Sequence, residues 1–224
     1  MMRAAIRSKG ERWPRQVGFG LHGRQTIGLF GGSFDPFHEG HAHVARLALQ
    51  RLGLSRLVFV PARGNPLKQG PSAFAGRLAR LQREARGSRL GVSALERSLG
   101  LPYTIDWARR LMARRPTSRF VLVLGGDNWA NFHRWRNWKG LAALFPIAVI
   151  ARPGEHARVS ALAKARLSRA GRYFRAQRLD DDQGRLLARG PAPCWIWLSG
   201  PLNAASSTAL RAQNSGQEHG RAQG

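Results

Sequence analysis

The chain is poor in several things. It has one cysteine, Cys194, only four lysines (Lys9, Lys68, Lys139 and Lys164) and few carboxylates. A single cysteine excludes an internal disulfide and a thiolate metal cluster, and it fits the reducing cytoplasm. No apolar run approaches the roughly 20 residues that a membrane-spanning helix needs. The first 25 residues hold no apolar segment of the kind a secretory signal requires. They are basic and without sustained period, and are expected to form a disordered leader. Aromatic-rich strings of the RNA-recognition kind are missing too, so dedicated nucleic-acid binding is not expected.

What the chain has in excess is arginine. Lys and Arg total 37 against 12 Asp and Glu, a net charge of +25. Such a surface attracts polyanions, whether nucleotide, nucleic acid or an anionic membrane face. The arginines are spread along the whole chain, so charge alone marks no site. A length of 224 residues accommodates one sizeable domain.

The informative stretch is Thr26 to Val44, TIGLFGGSFDPFHEGHAHV. Thr26 to Phe30 is apolar and β-prone, and the strand is expected to break at Gly31-Gly32 and turn through Asp35-Pro36. From about His41 the pattern is helical, with Val44, Leu47, Ala48 and Leu52 on one face. Strand, glycine loop and helix is the arrangement that binds phosphate in a parallel α/β sheet, because loop N–H groups and the helix N-terminus point at the anion. Gly31 and Gly32 let the backbone approach a ligand closely. His38 and His41 are three apart and share a face once the helix has begun. An imidazole N–H donates to a phosphoryl oxygen, and a cationic ring also helps neutralise it.

The rest of the chain alternates strand and helix. Leu57–Val60 reads as a second strand, followed by the loop Gly64-Asn65-Pro66-Leu67-Lys68, where Lys68 can reach a phosphate. Phe74 to Ala85 reads as a helix with Leu78 and Leu81 inward and Arg77, Arg80 and Arg83 outward. A weak strand at Arg89–Ser93 precedes a helix over Ile105–Arg115 that Thr104 can cap. Phe120–Leu124 is the clearest buried strand and runs into Gly125-Gly126-Asp127, where a carboxylate can accept from ribose hydroxyls. Among Trp129, Phe132, Trp135 and Trp138, at least two should be core, while one near the strand end can stack on a planar ring. Pro146–Ile150 and Trp195–Leu198 are further strands, and Arg158–Ala170 a basic helix. Asp180-Asp181-Asp182 reads as a turn rather than a metal site. The hydroxyls of Ser206, Ser207 and Thr208 precede a helical stretch, so they form a cap and an anion seat with Arg211 one turn on. The last residues, 214–224, are polar and expected to be flexible. The alternation predicts a single α/β domain over 26–213, a Rossmann-like, mostly parallel sheet of about six strands with helices on both faces.

The string Gly31-Gly32-Ser33-Phe34-Asp35-Pro36 with His38-Glu39-Gly40-His41 resembles the GGxFDPxHxGH signature of the HxGH-type nucleotidyltransferases. Further blocks follow in order: Asn65-Pro66-Leu67-Lys68 is similar to an NPxK loop, and Pro102 to Asp106 to a PSYTIDT segment. Trp107 stands where that segment ends in threonine. Gly126-Asp127 to Trp135, Arg152-Pro153-Gly154 and a closing Ser206 to Arg211 complete the order. The middle blocks most resemble the bacterial nicotinate-nucleotide adenylyltransferase family, over roughly 26–213.

That resemblance implies a reaction between ATP, carrying Mg2+, and nicotinate mononucleotide, by direct in-line attack without a covalent enzyme intermediate. It implies that His38, His41 and Arg211 are catalytic. ATP would be held by Gly31, Gly32, Ser33, Phe34, Gly126, Asp127, Arg152, Ser206, Ser207 and Thr208, together with those three. The mononucleotide would meet Phe34, Asn65, Lys68, Tyr103, Thr104 and Trp135. No protein-held metal is implied, no membrane partner is expected, and a homo-oligomer stays open. Two alternatives remain: a phosphopantetheine-type adenylyltransferase, which shares the first and last blocks, and a basic RNA-binding protein on the same fold.

Overall fold

The computed structural model describes residues 25–62, 74–101, 103–151 and 158–199. They form one parallel sheet of seven strands in the order β3-β2-β1-β4-β5-β7-β6. The strands are β1 (Thr26–Gly32), β2 (Arg56–Pro61), β3 (Leu90–Val92), β4 (Arg119–Gly125), β5 (Ile147–Ile150), β6 (Arg178–Leu179) and β7 (Trp195–Leu198). The helices are α1 (Glu39–Arg51), α2 (Phe74–Glu84), α3 (Leu95–Leu99), α4 (Thr104–Arg114), α5 (Gly126–Ala130), α6 (Trp138–Leu144), α7 (Arg158–Leu167), α8 (Arg169–Tyr173) and α9 (Gly184–Arg189). No helix among the described residues is long and apolar enough to cross a membrane.

The sheet is apolar on both faces because it is covered on both. Ile27, Leu29, Leu122, Leu124, Ile147, Val149, Trp195 and Trp197 face α3 to α8. Phe30, Phe59, Val121, Val123, Ile150 and Ile196 face α1, α2 and α9. Of the four aromatics after β4, Trp129 and Phe132 are fully buried, whereas Trp135 and Trp138 pack half-buried at the margin of that core.

Several expected boundaries move. The first strand does not break at the glycines: β1 pairs through Gly31 and Gly32, opposite Val60 and Pro61 of β2. Helix α1 starts two residues before His41, at Glu39. Thr104 is the first helical residue of α4 rather than its cap; Tyr103 occupies the N-cap without a side-chain hydrogen bond. The basic helix divides at Ser168, whose hydroxyl caps α8 by accepting from Gly171 N–H at 3.0 Å. The seventh strand, β6, has two residues, too short for alternation to reveal. Asp180–Asp182 is a turn as expected, closed by Gln183 and tied down by Arg178 and Arg51. Arg80 and Arg83 face outward, but Arg77 is turned into the protein and only 3% exposed. Leu78 is half-buried.

The α7–α8 junction braces the floor of the β4 exit. Ala165 carbonyl accepts from the Trp129 indole at 3.1 Å and from the Ser168 hydroxyl at 2.8 Å. A Cβ on Gly171 would stand 2.1 Å from that same carbonyl oxygen. The obstacle is backbone, so a rotamer change cannot relieve it. Gly171→Ala is expected to cost about 2 kcal/mol, lowering the melting temperature by about 6 °C in a melt followed by tryptophan fluorescence. An unchanged melt would mean that the junction yields freely.

Candidate active site

The strand order places the site. From β1 the chain moves outward through α1 to β2 and on to β3, then crosses back to the other side of β1 to make β4 and β5. The direction of winding therefore reverses between β1 and β4. A crevice opens there at the carboxyl ends, where open α/β sheets bind ligands. Helices joining parallel strands begin at that same edge, so the starts of α1 and α4 and the β4-to-α5 turn all lie along it.

At the β1 exit, Phe34 takes φ 48° and the Asp35-Pro36 peptide is cis. The Phe34 ring folds back beneath the loop and is 1% exposed. It packs edge-on to Phe30 at 5.3 Å, Phe59 at 5.4 Å and His41 at 4.9 Å. Sequence reasoning put Phe34 in the pocket lining; its side chain is core, and only its backbone can face a ligand. Gly32 explains the tight fold, because a Cβ there would come within 3.0 Å of the Phe34 ring. Around Gly31, by contrast, an added Cβ would meet nothing within 4 Å among the described residues, which leaves room there against the backbone. Ser33 is half-buried, and its carbonyl points back to α2.

His38 and His41 are brought together, with ring centroids 3.9 Å apart, and are 6% and 2% exposed. They also start α1. His38 is the N-cap residue, and its Nδ1 accepts from Gly40 N–H at 3.0 Å. His41 Nδ1 accepts in return from His38 N–H at 3.3 Å. A ring nitrogen that accepts carries no proton, so each neutral imidazole bears its proton on Nε2. The cap therefore fixes the tautomer that can donate through Nε2 to a phosphoryl oxygen.

Arg77 was missed by sequence reasoning, which read α2 as an amphipathic helix with every arginine outside. Its Nη1 donates to Ser33 carbonyl at 2.7 Å and its Nη2 to Ala62 carbonyl at 2.9 Å. Burial pulls its guanidinium below the usual arginine value, and Asp35 and Glu96 pull it back up. A detectable signal existed: Arg77 and Leu81 are four apart, so they share a helix face.

On the other side of the crevice, Gly126 is buried and Asp127 is exposed in the first turn of α5. Tyr103 is 43% exposed, and the Arg136 guanidinium lies 4.6 Å over its ring. That contact ties the start of α4 to the residue after Trp135. Arg136 is a cation that sequence reasoning did not single out. Cys194 is half-buried, and burial pushes its thiol up, which makes it a poor nucleophile. The expected contacts Asn65, Lys68, Arg152, Ser206, Ser207, Thr208 and Arg211 lie outside the described residues, as do leader residues 1–24 and the tail at 214–224.

A family model described as cytidylyltransferase-like matches residues 29–213. The chain is thus a nucleotidyltransferase of the cytidylyltransferase-like class. Its relatives narrow this further. A Caulobacter sp. (strain K31) protein named "probable nicotinate-nucleotide adenylyltransferase" is 47% identical, covering 83% of this chain and 96% of that one. A Rhizobium meliloti (strain 1021) protein of the same name is 45% identical, covering 85% of this chain and 100% of that one. The chain belongs to the nicotinate-nucleotide adenylyltransferase family. The solved structure of Plasmodium falciparum nicotinic acid mononucleotide adenylyltransferase complexed with NaAD has the same fold, with a TM-score of 0.61 at 18% identity. That match covers 85% of this chain and 83% of the other.

The capping role of His38 can be separated from the phosphate contact expected of it. Asparagine is a good N-cap but has no imidazole. His38→Ala is expected to lose about 1 kcal/mol of stability, whereas His38→Asn should melt close to the wild type. Both should lose turnover, by at least about 100-fold. Equal melting of the two variants would remove the capping role, and near-normal turnover in the asparagine variant would remove the ring from phosphate binding.

Proposed function

We propose that the chain transfers the adenylyl group of Mg2+-bound ATP to nicotinate mononucleotide, giving deamido-NAD and pyrophosphate. The observation that carries the reading is the pair of buried imidazoles, oriented by their own cap, at the switch point between β1 and β4. The family relatives favour the pyridine nucleotide over the phosphopantetheine and RNA readings.

The chemistry asks little of the protein in proton transfer. A phosphate oxygen of the mononucleotide is already anionic, and it attacks the α-phosphorus of ATP in line. The new P–O bond forms as the bond to the bridging oxygen of the β-phosphate breaks, and pyrophosphate leaves with its magnesium. Catalysis then consists of alignment and of charge stabilisation at the α-phosphorus. Nε2–H groups of His38 and His41 donate to the phosphate oxygens, and Gly31 lets them approach the backbone. Asp127 accepts from the adenosine side. Tyr103 and Thr104 meet the nicotinate carboxylate at the start of α4, and Trp135 stacks on the pyridine ring. Gly32, Ser33 and Gly126 shape the backbone of the ATP pocket. Ser206, Ser207, Thr208 and Arg211 are proposed to seat the triphosphate, with Arg152 and Lys68 on further phosphate oxygens and Asn65 on the mononucleotide. We place the enzyme in the cytoplasm, with its nucleotide substrates.

The test is pyrophosphate release from ATP and magnesium with nicotinate mononucleotide, nicotinamide mononucleotide or phosphopantetheine in parallel. The acid should be preferred over the amide by at least about tenfold in kcat/KM, a difference of about 1.4 kcal/mol. Release with phosphopantetheine alone would discard the reading of Tyr103, Thr104 and Trp135. Arg136 offers the acid a charge beside Tyr103. A solvated cation near 4 Å is worth about 1 kcal/mol. Arg136→Gln should therefore narrow the acid preference roughly fivefold, and an unchanged ratio would take the side chain out of discrimination.

A further inference from the structure

Arg77 is a buried cation that no step above uses. We propose that it is a positioning residue for adenylyl transfer: its guanidinium fork clamps the loop leaving β1 to the end of β2, and so sets where His38 and His41 stand relative to the phosphates. The inference rests on the phosphate-binding reading of those two histidines.

The geometry is specific to an arginine. Its two terminal nitrogens serve carbonyls from different parts of the chain, Ser33 after β1 and Ala62 after β2. The two exits are already laced by Ala62 N–H donating to Gly32 carbonyl at 2.8 Å. Arg77 carries the lacing one residue further along β1, to the residue before Phe34. Phe34 is the point that needs support, because a bulky side chain at positive φ persists only where its surroundings over-determine it. Four residues on stands His38, the first residue of the histidine cap. Displacement at Ser33 therefore passes along a short, packed loop into both imidazoles.

The charge environment is arranged to tolerate the buried cation. Asp35 and Glu96 both act on the guanidinium, and Glu96 is itself only 7% exposed and accepts from the Trp107 indole at 3.3 Å. The guanidinium also lies 5.5 Å over the Phe74 ring. A lysine would bring one compact ammonium and no planar fork, so it could not hold both carbonyls in this geometry. A methionine would fill the space and leave the two carbonyls without their donor.

The experiment compares wild type, Arg77→Lys and Arg77→Met by steady-state kinetics, normalised to folded protein, and by hydrogen exchange. Arg77→Met is expected to lower kcat on the order of 100-fold, the scale of an ångström-size misalignment, with KM for the mononucleotide within about threefold. Arg77→Lys should recover part of kcat. Exchange should quicken about tenfold or more across residues 31–41 and stay unchanged across β4, since local opening is separable from global opening. An unchanged kcat per folded enzyme would overturn the proposal. So would exchange that quickens equally in β4, because that is general destabilisation. If the wild type fails to turn over nicotinate mononucleotide, the proposed function falls, and the exchange pattern alone then decides whether Arg77 clamps the loop.

Discussion

Helix α1 is started by the side chains that its position serves. His38 accepts from Gly40 N–H, and His41 accepts back from His38 N–H, so the first turn is closed by two imidazoles. Most helices spend a serine or an aspartate on this task. Here the same atoms that satisfy the helix start also fix each ring's orientation and tautomer. The pair cannot drift without losing the hydrogen bonds that cap the first turn. The rings are held again from below: Phe37 stacks on His41 at 5.5 Å, and Phe34 and Phe30 close around it. The orientation of the two rings therefore comes from folding itself.

This dependence explains why the loop from Gly31 to Phe37 carries so many special features. It must leave a central strand, reverse, and deliver two histidines to the same edge within a few residues. The positive φ at Phe34 and the ring folded under Gly32 both serve to shorten that path. A loop so compact has little bulk of its own to hold it. Its support comes from β2 through Ala62 and from α2 through Arg77. Net charge tells none of this. Most of the described arginines are exposed, and the one that is 3% exposed is distinguished by its partners rather than by its sign.

Much of the fold was legible because parallel strands buried on both faces are runs of apolar residues, and β1, β2, β4, β5 and β7 are such runs. What escaped was set by tertiary contact. β6 has two residues and exists because Arg178 and Leu179 meet Trp195 and Ile196 of β7. Glycine punctuation suggested that β1 ends early, yet pairing with β2 carries it through Gly32. Thr104 looked like the cap of α4 because it is the right residue type, but the helix begins one residue sooner and takes Tyr103 instead. The site followed the same rule. His38 and His41 were legible from their spacing, whereas the cap that joins them was not, since histidine is a rare choice there. Phe34 was assigned to the pocket from its motif position, and its positive φ sends the ring to the core.

Arg77 faces inward for a reason that lies in its surroundings. A helix face is judged by what it packs against, and α2 packs one turn against a polar rim rather than an apolar core. Leu81 meets the core, while Arg77, one turn earlier, meets the carbonyls at the carboxyl edge of the sheet. Those carbonyls end strands and turn away from the ladder, so they need donors from elsewhere. A buried guanidinium supplies several donors in one plane, which a serine or asparagine cannot match. Its charge also sets a positive potential beneath a loop proposed to bind phosphate, so the donor that completes the backbone's hydrogen bonding also favours the anion the site is proposed to hold. The inner-face arginine of α2 thus completes the hydrogen bonding of two carbonyls at the carboxyl edge of the sheet, a role that amphipathic counting alone places on the wrong side.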